Sequence, residues 1–153
     1  MKGLVIYDSV FGNTKLVAEA VAQALGYPLM PVISVKAEML KDYEHIVWGS
    51  PTRGFRATEP MQNFIKALPK DALAGIKVST FDTRMDVKEV NNKFLTFMVG
   101  IFGYAAEPLA KSLVKKGATL LGKTDGFIVN ASEGPLRDGE LDRAAAWAKT
   151  LQA

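Results

Sequence analysis

The chain has 153 residues, 48% of them hydrophobic, enough to bury a core as a single domain over 1–153 and too few for two domains of ordinary size. A formal charge of +3, with Lys and Arg dispersed and Lys115-Lys116 the only adjacent pair, is not the footprint of a nucleic-acid binder. The absence of cysteine excludes disulfides, iron–sulfur clusters, thiol catalysis and cysteine-ligated zinc, so any redox chemistry must come from a bound cofactor.

In chain order, residues 3–8 form an apolar run too short for a signal-peptide core or a bilayer span, which sets the expectation of a cytoplasmic protein without a membrane span. The run reads as a strand covered on both faces. Leu16, Val17, Ala20, Val21, Ala24 and Leu25 then fall on one helical stripe, stopped by Gly26 and Pro28. Residues 28–33 are strand-like, but their two prolines cannot donate ladder hydrogen bonds, which puts them at a sheet edge. A buried strand follows at 45–48, then a helix with Met61, Phe64, Ile65 and Leu68 on its stripe and Thr58 as its cap.

A third apolar strand covers 76–81, and residues 82–86 read as a loop. The apolar stretch 94–102 reads first as core; so many large side chains in a small domain leave a homodimer face through 94–104, or a quinone-accessible surface, as the second reading. Ala106, Leu109, Ala110, Leu113 and Val114 make a helix ended by Gly117, 127–129 a last strand, and Leu141, Ala144, Ala145, Ala148 and Leu151 a last helix stripe. His45 and Trp147 read as structural, and Arg137 as a solvated loop residue at the crevice rim.

Five strands alternating with helices predict an α/β protein: a doubly wound five-stranded parallel sheet, order 2-1-3-4-5, in a three-layer sandwich. In that order the ligand crevice lies outside the carboxyl ends of the first and third strands. The loops 8–14, 49–59 and 82–86 then matter most. The first of them runs from an apolar strand through a hydroxyl-bearing, glycine-containing turn into a helix, and unpaired amides at a helix start make an anion pocket. No lysine sits in the turn, so neutral donors, among them Ser9, Asn13 and Thr14, would carry a phosphate. The alternative is that Ser9 and Thr14 only cap the helix.

The pattern Val5-Ile6-Tyr7-x-Ser9-x-x-Gly12-x-Thr14-x-x-x-Ala18-x-x-Val21 resembles the flavodoxin signature at every specified position, and Gly49-Ser50-Pro51-Thr52 resembles the start of that family's second flavin loop. The likeness covers essentially the whole chain, in the short form that lacks a long insertion in the last strand. It implies that Ser9, Val10, Phe11, Gly12, Asn13 and Thr14 cradle the terminal phosphate of FMN, while Ser50, Pro51, Thr52, Arg53, Gly54 and Phe55 frame the isoalloxazine ring, with Asp82, Thr83 and Arg84 supplying contacts from the third loop. The turn lacks the G-x-G-x-x-G spacing of pyrophosphate binders, which favours FMN over FAD.

Three departures bear on this expectation. Where many flavodoxins place a tryptophan, the second loop reads Arg53-Gly54-Phe55-Arg56, so that Phe55 stacks, Arg53 lays its guanidinium on the ring, or Phe55 packs under its own loop. The third loop lacks the usual tyrosine. The family is typically acidic, whereas here Arg53, Arg56, Arg84 and Lys88 outnumber Glu59, Asp82 and Asp86, which would raise the potential of the second reduction and favour acidic partners.

The resulting expectation is an FMN-binding, flavodoxin-like electron-transfer protein with redox protein partners, no catalytic side chains and no metal site. The first alternative is an FMN-dependent oxidoreductase acting on quinones, in the manner of quinone reductases or protoporphyrinogen oxidases. The second is a flavin-free binding or scaffold domain of the same fold.

Overall fold

The computed structural model describes residues 1–86, 93 and 103–152. Lys88 and the apolar stretch 94–102, with its suggested dimer or quinone contacts, lie outside the described residues.

A parallel sheet runs through the middle. Its strands are β1 (Gly3–Tyr7), β2 (Leu29–Pro31), β3 (His45–Pro51), β4 (Lys77–Met85), β5 (Thr119–Leu120) and β6 (Asp125–Val129), in the order β2-β1-β3-β4-β5 with β6 also on β4. β2 is an edge strand, as its proline content requires, and the chain leaves it into a 3₁₀ turn at Val32–Ser34. The strand expected at 127–129 is present within β6 and is preceded by a two-residue strand, β5, that sequence did not mark: Thr119 pairs with Lys77 and Asp125 with Phe81, so the register moves by two residues between β5 and β6. β4 runs on to Met85, and residues 82–85, which read as loop, are strand instead. Their polar side chains conceal a ladder in which Thr83 pairs with Phe127 and Met85 with Val129.

Successive strand residues point to opposite faces, so each central strand feeds two cores. Leu4, Ile6, Ile46 and Trp48 pack against helices α2 (Glu59–Ala67) and α3 (Ala106–Lys115) through Met61, Ile65, Leu109 and Leu113. Val5, Tyr7 and Val47 pack against α1 (Asn13–Leu25) and α4 (Glu140–Thr150). α1 ends where expected, with Gly26 in the left-handed conformation donating to the Ala22 and Gln23 carbonyls. On α4 the buried stripe is Ala144, Trp147, Ala148 and Leu151, while Leu141 is exposed. Trp147 closes an edge-to-face cluster with Phe81 and Phe127, centroids 5.9 to 6.0 Å apart, and its indole N–H donates to the Lys123 carbonyl.

At the opposite end of the sheet from the carboxyl edge, His45 is completely buried in a chain of hydrogen bonds. The Ser79 hydroxyl donates to the Leu121 carbonyl at 2.8 Å, so the 2.8 Å contact between Ser79 Oγ and His45 Nε2 must use the imidazole proton. His45 Nδ1 is then the acceptor for the Tyr27 hydroxyl, also at 2.8 Å. Every polar atom is satisfied by the neutral ring. Burial, and secondarily the Lys77 charge, lower the His45 pKa from 6.5 to about 4.

The unfolded chain protonates His45 near its ordinary pKa and the folded chain only well below it, so folding stability is lost as pH falls from 6.5 toward about 4. The expected loss over that window is about 3 kcal/mol at most. Urea unfolding across the window should show it, and in His45→Gln, already destabilised, the pH slope should be correspondingly flatter.

Candidate functional site

The carboxyl edge of the sheet gathers four loops around a small pocket. The first follows β1: Gly12 takes φ +94°, conformational space that glycine enters without strain, and turns the chain into α1. The Ser9 hydroxyl accepts the Gly12 amide at 3.0 Å. The amides of residues 13–15, by contrast, meet no side-chain cap and no acceptor among the described residues, and no acidic residue sits in the first turn of α1. That leaves donors and the positive end of the helix dipole directed at the pocket. Asn13 is tied across to the fourth loop, its side-chain amide donating to the Glu133 carbonyl at 3.0 Å.

The hydroxyls of Thr14 and Thr83 stand 2.7 Å apart, both residues buried. One proton lies between them, and the hydroxyl that accepts it keeps its own proton to donate elsewhere.

The second loop leaves β3 at Pro51. Thr52 donates its amide to the Thr83 carbonyl and accepts the Ala105 amide on its hydroxyl, at 2.9 and 3.1 Å. Arg53 and Arg56 exchange backbone hydrogen bonds across a two-residue turn in which Gly54 has φ 54° and Phe55 φ 69°. An aromatic residue at positive φ carries strain of about 1–3 kcal/mol. The exposed Arg53 guanidinium lies over the Phe11 ring, 5.6 Å from its centroid.

Asp82 is the most constrained charge in the region. Its carboxylate, with no solvent exposure, receives Arg84 Nε at 2.6 Å, Arg84 Nη2 at 2.7 Å and the Ala106 amide of α3 at 2.9 Å. Asp82 and Arg84 are two residues apart on one strand and so share a face. Burial pushes the Asp82 carboxyl up from its ordinary value, against the opposing pull of Arg84 and the Ala106 amide. The guanidinium lies between the Tyr104 ring, at 3.8 Å from its centroid, and the backbone of Gly126.

Ser9, Val10, Phe11, Asn13, Thr14, Pro51, Thr52, Arg53, Thr83 and Arg84 come together around a pocket of about 80 Å³, enough for a phosphoryl group and little more. Gly12 shapes the turn beside it. Ser50 is buried behind the pocket, accepting the Thr58 amide and donating to the Pro51 carbonyl. Asp82 lies beneath Arg84, and Gly54 and Phe55 line a different cleft. Thr58 does not cap α2; its hydroxyl goes to the Asp8 carboxylate, joining the first loop to the second. Met85, Val129 and Ser132 join the pocket without having been singled out from sequence. The signal available for Val129 and Ser132 was their place at the carboxyl end of the last strand, where every loop of such a sheet meets the crevice.

Comparison with known proteins bears on this geometry. The family model for the flavodoxin domain matches residues 4–125. A flavodoxin from Maridesulfovibrio salexigens is 28% identical over 158 aligned positions, covering 95% of this chain and 93% of its own. The crystal structure of oxidised flavodoxin 1 from Bacillus cereus superposes with a TM-score of 0.76 at 18% identity, covering 99% of this chain and 97% of that one. A flavodoxin from the domain Archaea does so with 0.72 at 21%, covering both chains completely. At those identities the two structures establish the fold.

A Cβ placed on Gly126 would stand 2.0 Å from Arg84 Nε, so Gly126→Ala must displace the guanidinium from Asp82. Leaving that carboxylate buried and half-answered should cost about 3 kcal/mol. Denaturant unfolding should report it as a lower midpoint at unchanged slope.

Proposed function

Because the chain belongs to the flavodoxin family, whose cofactor is FMN, we propose that it is an electron carrier holding FMN at the carboxyl edge of its sheet. The observation that carries this reading is the start of α1: three amides without an acceptor among the described residues, no acidic neighbour in the first turn, and a phosphate-sized pocket in front of them. These donors fit a phosphomonoester, and the remaining hydroxyl proton of the Thr14–Thr83 pair adds one more. Bound there, FMN supplies the electron transfer, and the protein supplies position and electrostatics.

The residues we assign to the phosphoryl end are Ser9, Gly12, Asn13, Thr14 and Thr83. Ser9 and Asn13 act through the loop shape they fix, and the amides and threonine hydroxyls act by donating. Pro51, Thr52 and Arg53 form the wall toward which the ring would extend. Arg84 reaches the same pocket, but Asp82 answers its charge. Arg53 is therefore the exposed cation on that wall whose charge no carboxylate meets among the described residues. With Arg56 exposed next to it, the partner we propose is a redox protein with an acidic contact face.

Titrating the purified protein with FMN, followed by flavin fluorescence, should give uptake of one equivalent, and a protein that takes up none would end the reading. Thr14→Val should weaken binding about tenfold, the order expected for one lost hydrogen bond to a charged group. For the potential, a cation about 8 Å away at an effective dielectric of about 20 is worth about 2 kcal/mol. That is about 90 mV for one electron. Spectroelectrochemical titration of Arg53→Gln should therefore show the second reduction moving to lower potential by up to that amount.

A further inference from the structure

A second and much larger cleft, about 670 Å³, lies between α2 and α3. Ile65 and Leu109 form its floor with Pro108 beside them, and loop 54–57 closes one end. Gln62 and Ser112 are neutral lining residues, and every charged one is cationic: Arg56, Lys66, Lys115 and Lys116, with no carboxylate among the described residues. Lys116 is committed, its Nζ donating to the Lys66 and Leu68 carbonyls at 3.2 and 2.6 Å, where it answers the negative end of α2. Lys66 and Lys115, in the last turns of α2 and α3, pair with no carboxylate among the described residues; each helix end offsets only about half a charge, so positive charge stays in surplus there.

The volume falls in the range of roughly 300–1,000 Å³ that small-molecule sites occupy. An apolar floor with unmatched cations at one end selects an occupant of matching polarity. We propose that this cleft is a second binding site, for a soluble amphiphilic anion whose carboxylate, sulfonate or phosphate head lies between Lys66 and Lys115 and whose apolar body lies along Ile65, Pro108 and Leu109. It is distinct from the pocket at the sheet edge, although both back onto the turn at 53–56.

The probe is 8-anilinonaphthalene-1-sulfonate, an aromatic body with an anionic head, titrated calorimetrically into protein saturated with FMN. One equivalent should bind. Lys66→Gln/Lys115→Gln should weaken it at least about tenfold, the order of one lost charge-assisted contact. Ser112→Trp, which fills the cleft from a solvent-exposed position, should abolish it. Unchanged binding in either variant would overturn the assignment, as would loss of binding on saturation with FMN, which would put the dye in the other pocket. The same titration without FMN should again give one equivalent, so a protein that takes up no flavin still permits the test.

Discussion

Asp82 places a carboxylate where no solvent reaches it, and much of the molecule's working end follows from how that charge is answered. An unpaired buried carboxylate is costly enough to be intolerable in a domain of ordinary stability, whereas one with a bidentate guanidinium and an amide can be kept. Arg84 supplies the first because residues two apart on a strand share a face, and Ala106 supplies the second from the start of α3. The carboxylate thereby also serves as the anion at the positive end of that helix. The guanidinium that answers Asp82 lies against β6 at a residue without a side chain, Gly126. One buried charge thus locks β4, β6 and α3 together, and α3 is a wall of the second cleft.

The same pairing reorganises the electrostatics of the pocket. Counting charges along the sequence gives several cations near the expected ring, but Arg84 is neutralised within its own strand. What remains is a pocket of neutral donors with Arg53 at its rim. Such a division would suit a site that binds one anion tightly and tunes another group by position: helix amides can hold a dianion without adding net charge, and Arg53, with Arg56 exposed beside it, would set the field.

The first strand, its loop, α1 and the sheet order were legible because their signals are local. Buried parallel strands read as unbroken apolar runs, Pro28 and Pro31 mark an edge, and Gly26 stops a helix. The end of β4 was not. Asp82, Thr83 and Arg84 look like loop because the pattern cannot show that each polar group finds its partner inside: Arg84 for Asp82, Thr14 for Thr83. The two-residue β5 was hidden for a similar reason, since so short a strand disturbs periodicity no more than a short loop would. The last helix stripe read from sequence includes Leu141 and omits Trp147 because helical spacing gives a stripe but not its centre, which is fixed by Phe81 and Phe127 from other strands. The α1 side of the pocket could be found from one motif, whereas the contributions of Val129 and Ser132 depend on loops that meet only in three dimensions.

The turn at 53–56 stands between the two clefts, with Arg53 on one and Phe55 and Arg56 on the other. It has two left-handed residues in succession, one of them aromatic, held by a reciprocal pair of backbone hydrogen bonds. A strained turn of this kind persists because its surroundings over-determine it. Any occupant of the α2–α3 cleft that interacts differently with two positions of the turn also moves the wall of the sheet-edge pocket. Linkage would then make the effect mutual: whatever factor such an anion imposed on FMN affinity, FMN would impose on the anion. An occupant indifferent to the turn would leave FMN affinity unchanged, however tightly it bound.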